Sequence, residues 1–293
     1  MATSPPPLRQ RAEQLAATLP PLLVAAERVA ATVAQGVHGR RRIGQGETFW
    51  QFREYDYGDQ PQSIDWRQSA KSDRVFVREM EWEAAQSVWI WRDTSASMAW
   101  RSADRYPLKR ERADLLTLAL AAMLLRSGER VALLGSGVGP SSGRTALTRM
   151  AAAIERQDED SAGLPIVRPL PRNAQVILMG DFLAPLDAVD QIVRGYAEAG
   201  IKGFLLQILD PAEETLPYDG RVRFDGTEGE ESWLLSRVES VRRDYAARLQ
   251  VHRDGLRAIA RTANWIFDSH HTDQPAQSAL LALYAALTHK SRR

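Results

Sequence analysis

An α/β fold, with a mostly parallel sheet and helices on both faces, is predicted by three observations. From residue 87 onward, short apolar segments alternate with longer helical ones, as a parallel sheet with crossover helices requires. Val176-Ile177-Leu178-Met179 is apolar without interruption, as a strand covered on both faces must be. Gly128 and Gly200 stand just past helical stretches, where glycine ends a helix at least steric cost.

The elements follow in order. Residues 8–36 place Leu8, Leu15, Leu19, Leu22, Leu23 and Val29 near a helical period. Pro20-Pro21 should break or bend that helix, and its apolar face needs a partner. Residues 37–85 are denser in charge, with short strands predicted at Thr48–Arg53 and Arg74–Arg78 and a turn at Tyr57-Gly58-Asp59. Strands are then predicted at Ser87–Trp91, Arg130–Leu134, Val176–Met179, Phe204–Leu209 and Trp265–Phe267, with Val222–Phe224 as an edge strand. Helices are predicted at Leu108–Arg126, Thr145–Ile154, Leu186–Ala199, Ser236–Thr262 and Ala276–Thr288. The first of these is apolar on most faces and should be buried. His270-His271 reads as a surface loop after the last strand. The expected division is an N-terminal helical segment (1–36), a β arm (37–85) and the α/β domain (86–293).

Composition limits the function classes. The chain has 293 residues, 44% hydrophobic and 26% charged, enough to bury a sizeable core. A net charge of +1 gives no global pull toward nucleic acid or acidic lipid. The basic run Arg40-Arg41-Arg42 reads as a solvated loop. Absence of cysteine excludes disulfides, thiolate metal sites and cysteine nucleophiles. Met1–Pro7 lacks the pattern of a signal peptide, and the longest apolar run, Leu115–Leu125, is too short to cross a bilayer. A soluble, cytoplasmic protein is expected.

Ligands of parallel α/β sheets bind beyond the carboxyl ends of the strands, and there the sequence carries its chemistry. Asp93-Thr94-Ser95-Ala96-Ser97 follows the first core strand. In an extended segment, residues i, i+2 and i+4 face one way, so Asp93, Ser95 and Ser97 would present a carboxylate and two hydroxyls together. Such an all-oxygen set suits a hard cation, Mg2+ above all, with Mn2+ or Ca2+ as alternatives. Asp181 follows the strand ending at Met179, and Gly143-Arg144-Thr145 places another hydroxyl between the two acids in the chain.

Other readings of these residues stay open. Asp and Ser are also favoured helix N-caps, worth about 1 kcal/mol each. Gly135-Ser136-Gly137-Val138-Gly139 follows a strand but leads into Pro140 rather than a helix, which argues against a dinucleotide loop. No Gly-Lys-Ser/Thr phosphate loop occurs, no histidine pair has zinc-protease spacing, and Ser95 and Ser97 have no identifiable base.

The order Asp-x-Ser-x-Ser, then Thr, then Asp on such a sheet resembles the metal-ion-dependent adhesion site of von Willebrand factor A domains. The resemblance assigns metal-holding roles to Asp93, Ser95, Ser97, Thr145 and Asp181. Gly180 departs from it, standing where A domains often place Ser or Thr. Upstream, Gly46-Glu47-Thr48-Phe49, Arg53-Glu54-Tyr55, Gly58-Asp59, Ile64-Asp65-Trp66 and Ser69-Ala70, ending in Glu79–Glu83, resemble the signature of the family called domain of unknown function 58. The combined resemblance covers roughly residues 38–270. It implies a von Willebrand factor A-like fold and a partnership with a MoxR-type AAA+ ATPase, or with its substrate protein, in chaperone-like assembly.

The expectation is therefore a non-catalytic adaptor. Its strand-end cation would keep a coordination position open for a partner's carboxylate. A metal-dependent hydrolase using Asp93 and Asp181 is one alternative, and a structural scaffold with an empty site is another.

Overall fold

The computed structural model describes residues 21–37, 49–55, 64–71, 74–80, 87–156, 163–171, 174–227 and 231–289. The expectations for 8–20, Arg40-Arg41-Arg42 and Tyr57-Gly58-Asp59 lie outside the described residues. The chain forms two compact units, one uniting the N-terminal helix with everything from Ser87 onward, the other spanning Arg40–Gln86.

The smaller unit pairs β1 (Phe49–Glu54) with β2 (Phe76–Met80) in an antiparallel ribbon, as the alternation at both segments predicts. Between them lies the single turn α2 (Trp66–Ser69). Asp65 caps it by accepting from Gln68 N at 2.9 Å, the local bond that makes Asp a favoured N-cap. The family-like Asp65-Trp66 pair is thus in part a capping element, with Trp66 exposed. Glu54 and Arg74 form an ion pair across the ribbon.

The larger unit is built on five parallel strands, β3 (Ser87–Arg92), β4 (Arg130–Leu133), β5 (Gln175–Gly180), β6 (Lys202–Leu209) and β9 (Ile266–His271). Their order is β4-β3-β5-β6-β9. Alternate side chains of the sheet feed two cores. One face, including Ile90, Leu133, Ile177 and Leu206, packs on α1 (Pro21–Val37), α3 (Lys109–Arg126), α4 (Arg144–Arg156) and α8 (Ala276–His289). The other, including Trp91, Leu178 and Leu205, packs on α5 (Leu186–Glu198) and α7 (Val238–Thr262). The predicted fold class is the one observed. The N-terminal helix starts at Pro21, a position proline favours, and its apolar face finds its partners within the chain, in α3 and α8.

Two expectations are corrected. Val222–Phe224 is not an edge of the main sheet. As β7 it pairs antiparallel with β8 (Trp233–Leu235) in a separate hairpin, because β9 already occupies the free side of β6. His270 and His271 are not in a surface loop but end β9, with His270 buried. Their polar character hid the strand.

The glycine-rich run after β4 has a structural use. Gly135 and Gly137 take positive φ of 89° and 74°, which glycine adopts without steric cost. The chain turns back so that Val131 and Ser141 exchange backbone hydrogen bonds of 3.0 and 3.1 Å. Part of the β4 edge is thereby paired, which blunts edge-to-edge association.

Candidate functional site

The chain leaves β3 toward β4 on one side and later places β5 on the other. The carboxyl ends of β3 and β5 therefore flank the point where strand order reverses, the place where open parallel sheets bind ligands. Asp93 directly follows β3 and Asp181 directly follows β5, and the two strands stay in register to their tips, with Asp93 N donating to Met179 O at 2.8 Å.

The Asp93–Ser97 loop does not run extended, as the sequence reading assumed. Ser95 N turns back to donate to Asp93 Oδ1 at 2.8 Å, and Ala96–Ala99 form one tight 3-10 turn. The turn still brings the hydroxyls together. Ser95 Oγ and Ser97 Oγ are 3.1 Å apart, and Ser97 Oγ donates to Asp181 Oδ2 at 2.7 Å. Asp93, Ser95 and Asp181 are buried, at 1%, 3% and 5% exposure, while Ser97 is half-buried. Ala96, next to Ser97 in the chain, and Leu183, just past Asp181, are exposed.

Close packing sets these positions. A Cβ at Gly180 would lie 2.9 Å from Asp93 Cβ and 3.1 Å from Asp93 Oδ2. A serine or threonine there would displace Asp93, which accounts for glycine at that position. Gly163 approaches the same side, where a Cβ would stand 3.7 Å from both Asp93 Oδ2 and Ser95 Oγ. Immediately after Asp181, Phe182 takes a positive φ of 48°, costly for a bulky residue. Its buried ring lies 6.4 Å from Trp91, and its carbonyl is 2.7 Å from His252 Nε2. Gln207 Nε2 donates to Asp181 O at 2.9 Å.

Lys109, Glu213 and Asp210 belong to the same neighbourhood and went unrecognised in the sequence. Lys109 Nζ lies 2.9 Å from Asp181 Oδ2 and 2.6 Å from Glu213 Oε1, with no exposed surface. Burial opposes its charge, but the Asp181 and Glu213 carboxylates outweigh burial and hold the ammonium above its ordinary pKa. Glu213 lies on α6 (Pro211–Thr215), whose capping box joins Asp210 N to Glu213 Oε2 at 2.8 Å. Asp210, fully buried, accepts from Ala212 N at 2.9 Å and from Ser102 N at 3.0 Å. It thereby ties the loop after Ser97 to the end of β6. Signals for these residues existed. Lys109 lies on the same helical stripe as Ala113, Leu116 and Leu120, and Asp210-Pro211-Ala212-Glu213 carries capping-box spacing.

Of the five residues the resemblance singled out, Asp93, Ser95, Ser97 and Asp181 stand together at the strand ends. Thr145 lies exposed in the first turn of α4, outside the hydrogen-bonded chain that joins the other four. Among the described residues, no three acidic or imidazole groups form a ligand cluster. The assembled set is two carboxylates and two hydroxyls, a donor chemistry that fits a hard divalent cation.

Comparison with known proteins places this arrangement in context. Uncharacterized proteins of Mycobacterium tuberculosis and Mycobacterium bovis are 26% identical over 267 residues, spanning 85% of this chain and 81% of each relative. Among solved structures, the conserved hypothetical protein BatB of Bacteroides thetaiotaomicron aligns with a TM-score of 0.43 at 14% identity, covering 71% of this chain and 100% of that one. An aerotolerance-related membrane protein of Bacteroides fragilis aligns with a TM-score of 0.44 at 14% identity, over 70% of this chain and 100% of the other. The model of the family described as protein of unknown function DUF58 matches residues 51–255, from the arm through both acidic strand ends to α7, and the chain belongs to that family.

Proposed function

We propose that this protein is a non-catalytic binding module whose strand-end site holds a divalent cation for recognition of a partner's acidic side chain. One observation carries the reading: Asp93, Ser95, Ser97 and Asp181 converge at the reversal point of the sheet. Asp93, the two hydroxyls and Asp181 would hold the ion, Mg2+ being the first choice for such oxygens. A bound ion would supply Lewis acidity and a coordination position for a carboxylate. The chain's own contribution is rigidity. Gly180 lets Asp93 sit against β5, and Gln207 and Lys109 fix Asp181.

The resemblance to von Willebrand factor A adhesion sites supports the binding role. The family resemblance in the arm points to a MoxR-type AAA+ ATPase, or its substrate protein, as partner. No helix among the described residues is long and apolar enough to cross a membrane, and the reading takes the protein to act in the cytoplasm.

The test is affinity purification of partners with Mg2+ and with EDTA, using the wild type and Asp93→Ala. Partner recovery should depend on the divalent ion and fall at least about ten-fold in the variant, with an unchanged far-UV CD spectrum. Equal recovery in EDTA would sink the cation reading. Mg2+-dependent turnover of phosphate or carboxylate esters, lost in Asp93→Ala, would favour hydrolysis instead.

A further inference from the structure

Lys109 is placed where ordinary helix energetics would not put it. It is the first residue of the 18-residue helix α3, at the positive end of the helix dipole, which disfavours a cation. Its side chain has no exposure, and burying an ammonium is costly unless it is fully paired. The pairing comes from the candidate site itself. Lys109 Nζ bonds Asp181 Oδ2, the oxygen that also accepts from Ser97 Oγ, and Glu213 Oε1 on the far side. One of the two carboxylates offered to an ion is therefore already shared with a fixed positive charge.

We propose that Lys109 is the positioning residue that sets how tightly the strand-end site holds a divalent cation, and that it makes retention depend on an anionic ligand from outside. This rests on the cation reading above. The ammonium holds one Asp181 oxygen and repels any cation bound at the same carboxylate, an effect that grows in a poorly solvated site. Asp93 and Glu213 offset part of that repulsion, while Ser95 and Ser97 are neutral and add nothing. An incoming carboxylate offsets more of it, so the ion and an acidic side chain bind better together than either does alone. Such coupling is reciprocal.

The test is Mn2+ titration of the full chain, followed by calorimetry and by electron paramagnetic resonance of free Mn2+, with and without sodium acetate. The proteins are the wild type, Lys109→Arg, Lys109→Met/Glu213→Gln and Asp93→Ala. The double variant removes the ammonium together with the carboxylate it would leave unpaired. The pair is charge-neutral overall, so the gain comes from freeing Asp181 Oδ2 of the ammonium bonded to it: Mn2+ binding should tighten about three-fold or more and most of the acetate dependence should go. Lys109→Arg, which keeps the charge, should stay near the wild type. Unchanged or weaker binding in the double variant, with binding still dependent on Asp93, would overturn this inference alone. Binding indifferent to Asp93→Ala, or no binding by any of the proteins, would overturn the cation reading and this inference with it. Should the double variant not fold, Lys109→Met alone decides. Its melting temperature should rise more with Mn2+ than that of the wild type, and an equal rise would count against the proposal.

Discussion

At Gly180 a hydrogen in place of a methyl group decides whether Asp93 can lie against β5. The neighbouring atoms at 2.9 and 3.1 Å belong to Asp93 itself, so Gly180→Ala must push that residue away. The expected cost is about 1–3 kcal/mol, read as a lower urea midpoint, together with weaker Mn2+ binding. An unchanged midpoint and affinity would show that the loop absorbs the methyl freely. At this scale the sequence exposed Asp93, Ser95, Ser97 and Asp181, because short polar residues after apolar strands stand out. It concealed Lys109, whose neighbours Arg110, Glu111 and Arg112 make it look like part of a solvated helix end.

Between elements, α3 and β9 are joined by a buried polar contact that local pattern did not announce. Arg112 Nη1 lies 3.1 Å from His270 Nε2, and the same guanidinium donates to Gln274 O at 2.6 Å and Thr272 O at 2.8 Å. Burial first, then the Arg112 and His271 charges, pushes the His270 pKa from 6.5 down to about 3. The folded imidazole is thus neutral and can accept from Arg112. Between those two values the unfolded chain binds the extra proton. Stability from this group is complete above about pH 6.5 and falls as pH drops toward 3, by at most about 1.4 kcal/mol per unit. Chemical denaturation between pH 4 and 7 should show a shallower slope in His270→Gln than in the wild type. Identical slopes would refute the assignment. The strand's last four residues escaped notice because Asp268, Ser269, His270 and His271 lack the apolar signature of a sheet interior. They are tolerated there because β9 is an edge strand and its tip meets polar partners from α3.

Across the whole molecule, helices from opposite ends of the chain share one packing layer. α1 and α8 both lie against α3, with Ala26, Val29, Ala30 and Val33 of α1 buried in that core. A chain beginning at residue 38 should lose on the order of 3–5 kcal/mol and expose apolar surface on α3 and α8. Calorimetry and light scattering would register a lower melting temperature and association. An unchanged melting temperature would show that α1 is dispensable to the core.

The sequence by itself determined the fold class, nearly all the elements of the α/β unit and four acids and hydroxyls of the site, because periodicity and strand-end composition are local properties. Tertiary structure decided the rest. Strand order brought Asp93 and Asp181 side by side, and α3 inserted Lys109 between Asp181 and Glu213. The loop after Ser97 was tied to Asp210. Each of these joins residues far apart in the chain, and a pattern read along one segment carries no record of which distant segment will be its neighbour.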